Sequence, residues 1–112
     1  SGQHVIGMLC HVDVVPGGDG WETDPFKAEI KDNLVYGRGT VDDKGPLVCC
    51  LYAAKFMRDN KLIPDDTRLR IVVGGDEERE WKDIAYYCKH AEAPEISFAA
   101  DGKFHWFSGK RD

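Results

Sequence analysis

An α/β domain built around a largely parallel sheet is what this 112-residue sequence predicts, and three observations carry the prediction. Short, nearly continuous apolar runs occur at residues 4–10, 69–73 and 96–100, as in strands buried on both faces. Apolar residues recur at helical spacing between them, at 46–60 and 81–91. Strands that alternate with helices pair in parallel through crossover connections. The length suits a single domain, and no repeat, low-complexity segment or linker divides it.

The elements follow in order. The first strand, 4–10, runs into His11-Val12-Asp13, where period two puts His11 and Asp13 on one side. Gly17-Gly18-Asp19-Gly20 is a turn, and Trp21 to Phe26 a loop whose aromatics pack on the flank of the domain. Residues 27–36 read as a hairpin, 27–30 and 34–36, turning at Asp32-Asn33. Gly37 to Gly45 is a glycine-rich turn carrying Asp42 and Asp43, followed by a helix from Pro46 to about Asn60. Its apolar stripe is Leu47, Val48, Leu51, Tyr52, Ala54 and Phe56.

The second strand, 69–73, ends at Gly74-Gly75 and is followed by the acidic run Asp76-Glu77-Glu78-Arg79-Glu80. A helix over 81–91 comes next, with Trp81, Ile84, Ala85 and Cys88 facing inward. The third strand, 96–100, delivers Asp101, and 104–107 is a further strand candidate.

Composition excludes several classes. A net charge of -5 disfavours a nucleic-acid or anionic-membrane surface. No apolar run approaches the roughly 20 residues needed to cross a bilayer, and no signal-peptide pattern opens the sequence. Cysteines at positions 10, 49, 50 and 88 have the placing of small buried hydrophobes. They predict reduced thiols, a cytoplasmic location and no cysteine-liganded metal.

Four places share one geometry: His11 with Asp13, Asp42 with Asp43, Glu77 with Glu78, and Asp101 each follow a predicted strand. With those strands as parallel neighbours, the groups collect at one rim of the sheet, where open α/β sheets bind ligands. So many carboxylates repel one another unless divalent cations join them. An imidazole with carboxylates suits zinc, with manganese or cobalt as alternatives, and the number of oxygens suits two ions sharing a bridging carboxylate. Of Glu77 and Glu78, one would hold metal and the other take a proton. The chemistry predicted from the residues is metal-assisted hydrolysis, of an amide or a phosphoester.

These residues also form an ordered set of motifs: His11-Val-Asp-Val-Val-Pro, Gly20-Trp-Glu-Thr-Asp-Pro-Phe, Tyr36-Gly-Arg-Gly-Thr-Val-Asp-Asp-Lys-Gly-Pro, Asp76-Glu-Glu and Trp81-Lys-Asp-Ile. In them the chain resembles, over essentially its whole length, the zinc metallopeptidases of the aminoacylase, desuccinylase and carnosinase type. The nearest branch is that of bacterial Xaa-His dipeptidases. The resemblance implies a three-layer α/β/α zinc-exopeptidase-like domain, present over 1–112 only in part, without the lid or dimerisation domain. It implies that His11, Asp42, Glu78 and Asp101 hold two zinc ions, with Asp42 bridging them. Asp13 would orient His11, and Asp43 would shape an unusual peptide with Asp42, the cis form included. Glu77 would take a proton from the bridging water during hydrolysis of a dipeptide that has a free amino terminus.

The departures from that pattern are definite. The family's second histidine would lie beyond Asp112. Arg79 and Glu80 replace a small residue and glycine, and Arg79 brings positive charge towards the metals. Phe104-His105 stands in place of Phe-Pro. Two rivals therefore accompany the dipeptidase expectation: an N-acyl amino-acid amidohydrolase or deacetylase, and a catalytically silent metal-binding fragment. A partial sheet with an open edge also leads us to expect association into a homodimer.

Overall fold

The structure, a computed structural model, describes residues 3–101. Three parallel strands form its sheet in the order β4-β1-β5. They are β1 (His4–His11), β4 (Thr67–Gly74) and β5 (Ile96–Ala99). β1 is central, and its register sets His11 opposite Gly74 and Leu9 opposite Ala99. The carboxyl ends of all three strands therefore reach the same rim. The continuous apolar run of β1 has its reason here, because a central strand is covered on both faces.

Helix α1 (Gly45–Asp59) covers one face, where Cys50 meets Met8 and Cys10, with Leu47, Ala54, Leu69 and Ile71 packed around them. Alternation along a strand sends Leu9 and Val72 to the opposite face. There α2 (Lys82–His90) encloses with them a cavity of about 160 Å³ through Ile84, Tyr87 and Cys88. The described residues thus form the α/β domain with a parallel sheet that the sequence predicts, layered α/β/α as the family resemblance implies. No helix among them is long and apolar enough to cross a membrane.

Four expectations are corrected. The hairpin β2 (Glu29–Lys31) and β3 (Leu34–Tyr36) turns where predicted, at Asp32 and Asn33 with φ of 51° and 60°, but forms its own two-stranded sheet. Asp42 and Asp43 are thus not delivered by a strand of the parallel sheet. The buried edge of α1 is Leu47, Cys50 and Ala54, whereas Val48, Leu51, Tyr52 and Phe56 are exposed. That helix is apolar around much of its girth, so spacing alone could not select its inner face. In α2, Ala85 and Cys88 are exposed, Tyr87 turns inward with Ile84, and Trp81 lies before the helix. Of the four cysteines, Cys10 and Cys50 are buried and Cys49 and Cys88 are exposed. Burial beside Cys50 pushes the Cys10 thiol up to about 12, so it behaves as a core side chain. The 104–107 strand and His105 lie outside the described residues.

At the opposite rim, the exposed His4 donates from Nδ1 to Glu95 Oε2 at 2.7 Å and has Asp66 at 3.9 Å. The Glu95 hydrogen bond, with the charges of Glu95 and Asp66, raises the His4 pKa against a small opposing effect of burial. A raised folded-state pKa stabilises the fold below the imidazole's unfolded pKa and loses that effect as pH rises through the folded value. Urea melts at about pH 6 and pH 8 should therefore show a component of stability favouring the lower pH, and His4→Gln should remove it.

Candidate metal centre

The glycine-rich turn does the most demanding local work. Gly39 sits at φ 85°, and a β-carbon there would lie 2.6 Å from Val14 Cγ1. At Gly45 a β-carbon would lie 2.5 Å from the Thr40 carbonyl oxygen, which as backbone cannot yield. Between them the wide helical turn Thr40–Lys44 leaves helical geometry at Asp42 and Asp43, whose connecting peptide is cis. Asp42 is left in the open rim while Asp43 is fully buried beneath it.

Asp43 anchors this turn to the sheet. Its Oδ2 accepts the His11 main-chain N–H at 2.9 Å, and its buried Oδ1 has no hydrogen-bond partner among the described residues. Burial raises its pKa; the His11 N–H and imidazole oppose this, and the Asp101 and Asp42 charges add to it. Lys44 makes a further tie, donating from Nζ to the Val12 carbonyl at 2.8 Å. Neither Asp43's burial nor the Lys44 tie has a signal in the sequence beyond adjacency to Asp42.

His11 is buried and engaged at both ring nitrogens. Nδ1 donates to the Asp13 carbonyl oxygen at 3.0 Å, and a carbonyl can only accept, so Nδ1 carries the proton. Nε2 is therefore the nitrogen free to ligate, and it lies 2.9 Å from Asp42 Oδ1. Glu77 Oε2 and Asp101 Oδ2 are each 3.9 Å from it. Burial would depress this imidazole, but the Asp13 carbonyl, the Asp42 hydrogen bond and the charges of Glu77 and Asp101 outweigh it, and its pKa rises.

The carboxylate of Asp13 lies farther from His11 Nδ1, at 3.4 Å, and has other partners. It accepts the main-chain N–H groups of Glu77 at 3.1 Å and Glu78 at 3.0 Å. Burial would raise the Asp13 pKa, yet those two donors prevail and hold it down. Sequence periodicity placed Asp13 beside His11; it gave no sign of this reach to a loop 64 residues away. Removing the acceptor leaves two N–H groups unsatisfied, so Asp13→Ala should cost roughly 2–3 kcal/mol in urea denaturation. Asp13→Asn, which keeps one acceptor oxygen, should fall between.

All the remaining predicted side chains converge at the same place. Ligand atoms of His11, Asp42 and Glu78 lie within 4.8 Å of one another, and so do those of His11, Glu77 and Asp101. The donor chemistry, one imidazole and four carboxylates, fits a divalent cation. Arg79 is exposed and makes no ion pair within 4.0 Å with these carboxylates among the described residues. His11, Glu77 and Asp101 also line a cavity of about 10 Å³ with Trp81 and Ile84. Burial raises the Glu77 pKa; the His11 ring opposes this and the charges of Asp101, Glu78 and Asp42 reinforce it.

Sequence comparison identifies the family of the chain. Residues 7–109 match the model of peptidase family M20/M25/M40, and the chain belongs to that family. It is 50% identical over 104 residues to "Putative dipeptidase YtjP" of Bacillus subtilis, covering 93% of this chain and 22% of that protein. A "Putative dipeptidase" of Staphylococcus epidermidis is 44% identical over 111 residues, 99% of this chain and 24% of its own length. "Putative dipeptidase SAUSA300_1697" of Staphylococcus aureus is 41% identical over the same number of residues, again 99% of this chain and 24% of that protein. The chain thus spans about a quarter of the curated relatives it matches.

Proposed function

We propose that this chain is the ligand-bearing part of the catalytic domain of a dinuclear zinc dipeptidase, and that the full-length protein hydrolyses dipeptides with a free amino terminus, Xaa-His among them. The observation carrying this reading is the convergence of His11, Asp42, Glu77, Glu78 and Asp101 from four separate segments into two overlapping groups of ligand atoms. His11, Asp42, Glu78 and Asp101 would hold the ions, with Asp42 shared. Zinc, or manganese or cobalt in its place, would lower the pKa of a water molecule and polarise the scissile carbonyl.

The chain's own residues divide the remaining work. Glu77 is the general base: it faces the small cavity beside His11 and Asp101, and its raised pKa strengthens it as a proton acceptor. It takes a proton from the water attacking the amide carbon, then gives it to the departing nitrogen as the C–N bond breaks. Asp13 fixes both ends of the arrangement, His11 through its carbonyl and the Glu77-Glu78 backbone through its carboxylate. Asp43 and Lys44 keep the Asp42 turn in register with the end of β1.

The test is an amino-acid release assay on the zinc-loaded full-length protein. Free amino acids from dipeptides, with little release from N-acetyl or N-succinyl amino acids, are the expected result. The reverse preference would make it an amidohydrolase on the same scaffold. Turnover of neither, with zinc bound, would leave a silent metal-binding protein.

A further inference from the structure

Trp81 has a backbone conformation that its side chain disfavours. It sits at φ 54° and ψ 30°, in the left-handed region. The other non-glycine residues with positive φ among those described are Asp32 and Asn33, in a two-residue hairpin turn, and Lys61, just beyond α1. Those are ordinary places for such a conformation, two of them filled by residue types that tolerate it. A bulky indole residue at the start of a helix is not. The turn over-determines it: Trp81 N–H donates to the Asp76 carbonyl at 2.9 Å, Lys82 N–H to Asp76 Oδ2 at 3.0 Å, and Ala85 N–H to the Trp81 carbonyl at 3.0 Å.

What the strained backbone achieves is placement. Trp81 follows the acidic run and borders the same cavity as His11, Glu77 and Asp101, with Leu9 and Ile84 beside it. Glu77 and Asp101 both line that space, and a carboxylate oxygen of each lies 3.9 Å from the same imidazole nitrogen. Like charges so close tend to swing apart into water. Trp81 closes one side of that space and leaves the two carboxylates 24% and 32% exposed on the other. Strain retained beside a functional site is the usual sign of such pre-organisation.

We propose that Trp81 is a positioning residue of the metal centre, its indole walling the His11–Glu77–Asp101 cavity so that the two carboxylates stay converged on His11. This rests on the metal-centre reading given above, and no part of that reading assigns Trp81 a role.

Cobalt(II) titration of the full-length protein tests it, followed by visible absorption and by indole fluorescence. Trp81→Asn keeps a residue suited to the left-handed turn and to capping α2, so its melting temperature should change little while its cobalt affinity falls roughly ten- to a hundredfold and its cobalt spectrum shifts. Trp81→Phe keeps an aromatic wall and should bind within about threefold of the parent. The difference in fluorescence between parent and W81F should contain most of the cobalt-induced quenching. Equal cobalt affinity and spectrum in the parent and W81N would overturn the proposal, making Trp81 a turn residue only. An unquenched difference signal would overturn it too, even if W81N does not fold. A parent protein that takes up no cobalt would remove the metal-centre reading itself, and this inference with it.

Discussion

Replacing Glu77 with Gln in the full-length protein should lower kcat on a dipeptide by roughly a hundred- to ten-thousandfold, the range for loss of a general base. Gln matches Glu in size and can still accept a hydrogen bond, so the cavity beside His11 and Asp101 keeps its shape. It cannot take the proton from the attacking water. Zinc content should stay near that of the parent, since the proposed ligands are His11, Asp42, Glu78 and Asp101. KM should change less than kcat, because the lost interaction matters most in the transition state. Steady-state kinetics with metal analysis on the same sample checks both halves. Zinc lost together with activity would make Glu77 a ligand, a role its grouping with His11 and Asp101 also permits geometrically.

Replacing Asp42 with Ala acts on the other side of the division, with metal binding as the first casualty. Asp42 pairs with His11 Nε2 at 2.9 Å and shares a ligand group with Glu78. The two-ion proposal would make it the carboxylate shared by both ions, whereas the residue common to the two ligand groups in the structure is His11. Its removal should weaken zinc binding by on the order of a hundredfold or more, beyond what is usual for residues that merely support ligands. Calorimetric titration of the metal-free full-length protein measures this directly. Because Asp42 is half-exposed and Asp43 keeps the anchor to the His11 N–H, the fold should survive. Binding indifferent to Asp42 would break the two-ion reading while leaving the family assignment intact.

The parts of this molecule governed by local rules could be read from sequence, and the parts governed by long-range contacts could not. Apolar runs of strand length, helical spacing after Pro46 and the Asp32-Asn33 turn each express a preference within a few residues, and the elements stand where those preferences put them. Membership of the hairpin in its own sheet was hidden, because turn chemistry fixes only the pairing of β2 with β3. The inner face of α1 was hidden because the small Cys50 packs on Cys10 while larger apolar neighbours stay outside. At the rim, the residue types led to the expectation that these side chains gather, and their ligand atoms do lie together. The use of Asp13's carboxylate on two distant peptide N–H groups did not show, since a side chain reaching for backbone leaves no pattern at its target. Trp81 was hidden for a related reason: its apolar character matched the helical stripe, whereas its backbone conformation is set by the Asp76 turn.

The ties that assemble this rim span long stretches of chain. His11 is bonded to Asp43 across 32 residues and Asp13 to Glu78 across 65, while β5, which leads to Asp101, pairs with the first strand of all. Closing such loops costs chain entropy before any contact repays it, so pairing of this kind forms slowly. During synthesis His11 and Glu77 must wait for the third strand of the sheet to leave the ribosome before their group with Asp101 can be complete. If the rim holds two ions as proposed, capture of the second would follow pairing of the sheet, because Asp101 stands just beyond β5.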